Sequence, residues 1–528
     1  VIDRPARSRA WWWGPLALAG VLLVARVVWL VFFSDLTLSE DEAHYWEWSR
    51  RLDWSYYSKG PGIAWLIGAS TRLFGDSEWA LRAPAAAMAA LTMLGAGAGA
   101  RWAFPGRPGL PLVAAALAAC APGVGVSSVL MTIDAPLMAC WAWGGAFAAL
   151  AVLRGRAWAW PALGAAVATG FLFKYTMLLL PLGVVGGMLA TRDRPRVDRR
   201  AALAAACVGA LGLVPVLVWN ARHGWATVRH LLGHLGLPGG DQPAPGAGAW
   251  TPAWPLEYLA LLPVVFGGVL LLAAIAGLRA NQRGDESPRP DASTEACAVR
   301  FFVAMSLPPL LFYLVVSLAV RTEANWAVAA APTLAVPAAW AVADAGRRRL
   351  RWTRVLWWLT LASGLLVTIA PARLEAMSQR RVYGRFIPVE RVTGMREHAQ
   401  AAVEQLDAIR VETGLEPFVM TDHYGRAALL AFYLPGRPDV LNASSLLGGR
   451  RSQHDLWAPT SPGDPATARA LRGRPALLLG RTGRDWLGSF ESVRAIGPLG
   501  GEPKPDSRTA WVGIGYRGFP NPGGTDGK

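Results

Sequence analysis

The chain has 528 residues, of which 53% are hydrophobic and only 17% charged, against roughly 25% charge in soluble domains. That balance excludes an ordinary soluble globular protein. Its 52 Lys+Arg against 36 Asp+Glu give a net charge of +16, but the basic residues are scattered between long apolar runs, so no nucleic-acid footprint forms. Only Lys59, Lys174, Lys504 and Lys528 are lysines and every other basic residue is arginine, which singles out Lys59 and Lys174 in the body of the chain.

In chain order, apolar runs of membrane-spanning length fall near 11–33, 79–100, 109–126, 134–153, 157–173, 176–190, 201–219, 255–277, 301–320, 325–343 and 355–372. About eleven transmembrane helices are predicted. The first run is too long for a cleavable leader and reads as an anchor. Arg4, Arg7 and Arg9, then Arg101, Arg107, Arg154, Arg156, the run from Arg192 to Arg200, Arg279, Arg283, Arg289 and the run from Arg347 to Arg354 all share one side of this layout. The positive-inside rule makes that side cytoplasmic and puts everything after residue 372 outside. Tryptophan agrees: of 26, only Trp457, Trp486 and Trp511 follow residue 372, and the others crowd span ends and the first outer loop. Cys120, Cys140, Cys207 and Cys297 have neither disulfide-framework nor metal-ligand spacing.

Three outer segments are too long for turns: 34–78, 220–254 and 373–528. The predicted organisation is a transmembrane domain over 1–372, an outer α/β domain over 373–514 and a disordered Gly/Pro-rich tail over 515–528. Within the outer domain a helix is expected from Arg391 to Val411. Short strands are expected at Phe418–Met420, Ala476–Leu479 and Trp511–Ile514. Residues 236–249 read as a flexible loop.

The polar residues gather at the outer loops. Ser39 followed by Glu42 has the form of a capping box, so a helix starts there and Glu42 has a structural use beside a chemical one. Asp41 has no capping duty. With Tyr45, Trp48 and Leu52 it lines one face of an amphipathic helix expected to lie on the membrane surface. Tyr56-Tyr57-Ser58-Lys59-Gly60-Pro61-Gly62 then forces a break and places Lys59 at a helix entrance. There it serves either an anionic ligand or simple snorkelling. Asp134, in Thr132-Ile133-Asp134-Ala135-Pro136, sits at a helix start where capping competes with chemistry. Lys174 stands between two spans. Trp219-Asn220-Ala221-Arg222-His223-Gly224-Trp225 opens the second long loop, and Arg321-Thr322-Glu323-Ala324-Asn325-Trp326 forms a tight turn. A coupled transporter would put charge near the bilayer midplane. Here the midspans are nearly clean, with Arg26 the main exception.

These motifs, in this order, resemble the bacterial dolichyl-phosphate-mannose protein mannosyltransferase-like glycosyltransferases, the group that includes the aminoarabinose transferases. The resemblance extends through Thr421-Asp422-His423-Tyr424. It implies a mainly α, polytopic GT-C fold and an enzyme that moves a sugar from a polyprenyl-phosphate donor to a hydroxyl acceptor with inversion. By that resemblance Asp41 is the acid that activates or orients the acceptor, with Glu42 its pair and Asp134 a supporting acid. Lys59 and Lys174 contact the donor phosphate. Arg321, Glu323 and Asn325 line the donor pocket, and Tyr57 and His223 complete it. Aminoarabinose transferases have Glu before the matching lysine, where a metal has been placed; here it is Ser58, so no metal is carried over, and no cofactor is assigned. The expected partners are a lipid-linked sugar and a membrane-lipid or envelope acceptor. The expected setting is a monomer in the bacterial inner membrane, with cytoplasmic N-terminus. The alternative reading is a transporter or flippase for a lipid-linked intermediate.

Overall fold

The computed structural model describes residues 9–191, 197–235, 237–241, 251–283, 290–347, 351–369, 391–500 and 510–520. Each predicted span contains an apolar helix. Among the described residues six are long enough to cross a membrane unaided: Trp13–Phe32, Glu78–Ala103, Asp134–Val152, Arg199–Arg222, Ser293–Val316 and Asn325–Gly346. The expected span 255–277 is instead two helices, Ala253–Phe266 and Gly268–Gln282, bent by 97° at Gly267, whose φ of 57° an L side chain rarely adopts. Leu110–Cys120, Ala159–Phe171, Tyr175–Ala190 and Val355–Leu366 are shorter apolar helices. The first of them ends at extended Ala121, which the following Pro122 favours, and the chain resumes as Pro122–Ser127. Small residues let the helices approach: a Cβ at Gly95 would stand 2.7 Å from the Cβ of Ala142 on helix Asp134–Val152. Arg26, the midspan charge, is buried against the bundle.

The two ends of the bundle differ. Helix Glu78–Ala103 carries Arg82 near its start and Trp102 near its finish, roughly 30 Å apart at 1.5 Å per residue. At the far end Arg154 donates to the carbonyls of Trp102 and Ala103 at 2.6 and 2.8 Å, and Arg107 pairs with Glu295 at 2.6 Å. At the near end sits the C-terminal domain.

That domain opens with helix Met395–Thr413, bounded by Gly394 and Gly414 at φ 79° and 66°. It then forms a five-stranded sheet of order β2-β1-β3-β5-β4, with β1 Phe418–Thr421, β2 Leu441–Asn442, β3 Ala476–Leu479, β4 Phe490–Gly497 and β5 Ala510–Tyr516. β1 lies parallel between β2 and β3, pairing Phe418 with Ala476; β5 runs antiparallel to β3 and β4. Two expectations change. Residues 515 and 516, expected to open the tail, belong to β5, where Tyr516 is buried opposite Phe490; residues 521–528 lie outside the described residues. β4 was not predicted, since its charged, exposed Glu491 and Arg494 disguise an edge strand. Most of the 236–249 loop also lies outside the described residues.

Helix Glu40–Arg50 departs most from expectation. Rather than resting on a membrane surface, it is buried from Glu42 to Ser49, because the C-terminal helix Tyr424–Tyr433 covers its second face. Trp46 packs edge-on against Phe432. One apolar core runs from Leu38, Trp48 and Leu81 into Met395, Leu430 and Leu477. Polar clamps reinforce it: Asp76 accepts from Trp46 and Arg437, both at 2.8 Å, and Arg396 pairs with Glu78 at 2.7 Å.

Candidate active site

The capping box forms as the sequence suggests: Ser39 and Glu42 bond reciprocally at the start of helix Glu40–Arg50. Glu42 is then consumed by structure. Its oxygens take a bidentate bond from Arg82, both at 2.8 Å, the N–H of Met131 at 2.9 Å and the N–H of Ser39 at 3.0 Å. Arg82 in turn donates to the carbonyls of Leu36 and Thr37. Although burial works to raise it, the Glu42 carboxyl is held below its ordinary value by Arg82 and these backbone donors. These bonds give Glu42 the structural use the capping pattern suggested: it anchors the first loop.

One residue earlier, Asp41 points the other way. It keeps accessible surface yet is surrounded by protein, as a group lining a recess would be, and its carboxylate accepts no hydrogen bond among the described residues. Burial pushes its pKa above the usual carboxylate range; Lys59 opposes the rise and Glu40 adds to it. The N-terminal helix position would lower it, but enclosure outweighs that.

Lys59 faces the same recess. The break predicted at Gly60-Pro61-Gly62 is tight: a Cβ on Gly60 would stand 2.4 Å from the Leu172 carbonyl. The Lys59 carbonyl is held by Tyr56 N–H and Ser55 Oγ at 3.0 and 3.1 Å. Its ammonium has no ion-pair partner among the described residues. Burial, then Lys174 and Arg450, lower it to about 8, against the pull of Asp41 and Asp134. Lys174 differs: its Nζ meets Asp134 Oδ1 at 2.8 Å, and Asn325 Nδ2 donates to Asp134 Oδ2 at 2.9 Å. Asp134 is therefore a pairing carboxylate rather than a cap; Thr132 Oγ1, at 3.4 Å, only grazes its N–H.

Asp41, Lys59, Asp134, Lys174 and Asn325 thus converge. Tyr57 stands beside them, with its N–H on Gln453 Oε1 at 2.7 Å, its hydroxyl on Asp241 and its ring 4.9 Å from His230. Three expected residues make other contacts. Arg321 is two-thirds exposed and paired with Glu257, and Glu323 is exposed beside it. His223 stacks on Trp219 at 4.0 Å and bonds the Trp219 carbonyl through Nδ1. Its motif builds a turn, in which Gly224 and Trp225 have φ near 59° and 58° and Asn220 Oδ1 caps Thr227.

Arg450 was missed by sequence reasoning. It comes from the C-terminal domain, after a Gly448 turn at φ 73°, and it reaches His230 Nε2 at 3.1 Å and the face of Tyr424 at 5.8 Å. Its charge acts on Asp41 and Lys59 alike. Nothing near Gly448-Gly449-Arg450-Arg451 marks it; only tertiary folding brings it to Lys59.

A helical bundle of this connectivity, with a small α/β domain over the end that carries an acid–lysine recess, defines a membrane protein of GT-C type. Residues 58–219 match the family model described as dolichyl-phosphate-mannose-protein mannosyltransferase. The chain is 30% identical over 340 residues to the lipid A galacturonosyltransferase RgtD of Rhizobium johnstonii, an alignment covering 61% of this chain and 65% of that protein. It therefore spans just under two thirds of the curated relative it matches. Two crystal structures of ArnT from Cupriavidus metallidurans share the fold. The form bound to undecaprenyl phosphate has a TM-score of 0.62 at 17% identity, and the apo form 0.57 at 18%; each comparison covers 96% of this chain and 98% of the other. The chain thus shares the GT-C fold of these structures.

Proposed function

We propose that this protein transfers a sugar from a polyprenyl-phosphate donor to a hydroxyl on a membrane-lipid acceptor, inverting the anomeric carbon, at the outer face of the bacterial inner membrane. The observation that carries this reading is the pairing of an unneutralised ammonium, Lys59, with an ionisable but unbonded carboxylate, Asp41, in one recess. Lysine is a compact point charge suited to phosphate oxygens. As the bond between the anomeric carbon and the phosphate oxygen breaks, its electron pair goes to the phosphate, and Lys59, with Arg450 beside it, stabilises the charge that develops. Lys174, already matched by Asp134, holds that wall of the site and adds field rather than net charge. On the opposite face of the sugar the acceptor oxygen forms the new bond and gives its proton to Asp41. Enclosure makes Asp41 a stronger base than a first-turn aspartate would be.

Similarity to a lipid A galacturonosyltransferase supports a glycolipid acceptor, and the fold shared with a structure holding undecaprenyl phosphate supports the donor class. The arginines at the end of the bundle opposite the recess support a cytoplasmic N-terminus and an outer C-terminal domain. The test is transfer of labelled sugar from polyprenyl phosphate to membrane glycolipid by the purified protein. Asp41→Asn abolishes it while the fold survives; retained transfer would overturn the assignment. Movement of the donor across liposomes without a new glycosidic bond would instead favour a flippase.

A further inference from the structure

The helix that carries Asp41 has a second chemical feature beginning one turn further on. His44 and Glu47, at i and i+3, share a face that meets the C-terminal domain, where His454 approaches. One ligand-type atom from each of the three lies within 4.8 Å of the others, and all three residues are buried. His454 Nε2 stands 2.7 Å from Glu47 Oε2, yet the two are not aligned as a hydrogen bond. Both Glu47 oxygens, both His454 nitrogens and His44 Nδ1 are buried without a hydrogen-bond partner. Unpartnered buried polar atoms are rare, and five in one cluster call for an agent that engages them. Arg51 does not bond them: its Nη2 pairs with Asp439, its guanidinium lies 4.7 Å over Trp457, and its buried Nη1 makes no hydrogen bond.

We infer that His44, Glu47 and His454 bind a zinc ion that ties the Asp41 helix to the C-terminal domain. Two imidazoles and one carboxylate are a zinc set rather than a calcium or magnesium one, both of which favour all-oxygen shells. The set includes neither Ser58 nor Asp41 nor Lys59, so the inference does not depend on glycosyl transfer. Its consequence is mechanical: two ligands come from the helix that presents the catalytic carboxylate and one from the domain that presents Arg450, so the ion fixes one against the other.

The experiment measures metal in the full-length protein, purified in detergent without chelator. About one zinc per chain is expected, the one-ion stoichiometry of such a site. Stripping the metal should lower the thermal unfolding midpoint, added Zn2+ should restore it, and Co2+ loading should produce the visible absorption of a low-coordinate His-ligated ion. His454→Ala and Glu47→Gln should lose the metal, whereas His398→Ala, a buried histidine outside the cluster, should keep it. If a variant does not fold, the Co2+ spectrum and chelator response of the unaltered protein decide. Protein that carries no zinc and is not stabilised by added Zn2+, or that keeps its zinc in both ligand variants, overturns the proposal. Because the readouts are metal content, spectrum and stability, a failure here is separate from a failure of sugar transfer.

Discussion

Lys174 and Asp134, the first from the break between two spans and the second from the first turn of a third, form a 2.8 Å ion pair in which neither side chain is more than slightly exposed. Lys59, whose charge Lys174 repels, has no such partner among the described residues. One lysine is structurally committed and the other is held available.

The two lysines should therefore respond with opposite stability signatures. Lys174→Met leaves Asp134 buried without its cation and should lower unfolding free energy by about 3 kcal/mol, the scale of breaking a buried pair. Lys59→Met removes an unpaired, enclosed charge and should not lower the melting temperature, yet it should cost about 1.5–3 kcal/mol in donor use, the worth of a hydrogen bond to a charged group. Equal melting shifts in the two variants would refute the division of labour.

Neighbouring acids should separate in the same way. Glu42→Gln disrupts a fully buried bidentate pair with Arg82 and should destabilise the protein by roughly 3–5 kcal/mol. Asp41→Asn should leave the melting curve in place and remove transfer. A Glu42→Gln protein with normal stability but no activity would return Glu42 to the chemistry.

The pH dependence follows from the two groups facing the recess. Asp41 is raised, so the acid limb of kcat/KM, where the base becomes protonated, should lie above the ordinary carboxylate range. Lys59 is depressed to about 8, so it loses its charge as pH rises through that value and kcat/KM should fall there; kcat/KM reports the free enzyme. Glu40, Asp134, Lys174 and Arg450 also act on this pair, and none of them needs to change charge near pH 8 for the limb to appear. In Lys59→Arg the guanidinium stays ionised, and the alkaline limb should vanish even if the rate drops. An unchanged limb in that variant would assign it to another group.

Arg450→Gln should weaken donor use by about 1.5–3 kcal/mol, as expected for a lost charge-assisted contact, with no change in melting temperature, because its side chain stays exposed despite its contacts with His230 and Tyr424. A comparable loss of stability would make Arg450 a strut between His230 and Tyr424 instead.

Much of the architecture was legible because apolar length, arginine placement and turn residues are local signals. The helix starting after Ser39, the break at Gly60-Pro61-Gly62 and strand β3 at Ala476–Leu479 all stand where their residues put them. The edge strand β4 was hidden by the charges that protect it, and the 97° break at Gly267 was hidden inside a continuous apolar run.

For the site, the sequence by itself determined which residues were chemically unusual: two lysines in an arginine-rich chain, and acids at outer helix starts. It did so because composition and capping patterns need no knowledge of distant contacts. What it left open was which acid works and which supports. Only the tertiary structure decided that Glu42 turns into the protein toward Arg82 while Asp41 turns to the recess, that Asp134 neutralises Lys174 and not Lys59, and that Arg450 and His454 arrive from some 400 residues away. Partner choice among charges depends on burial and distance in three dimensions, and neither is written in the spacing of the chain.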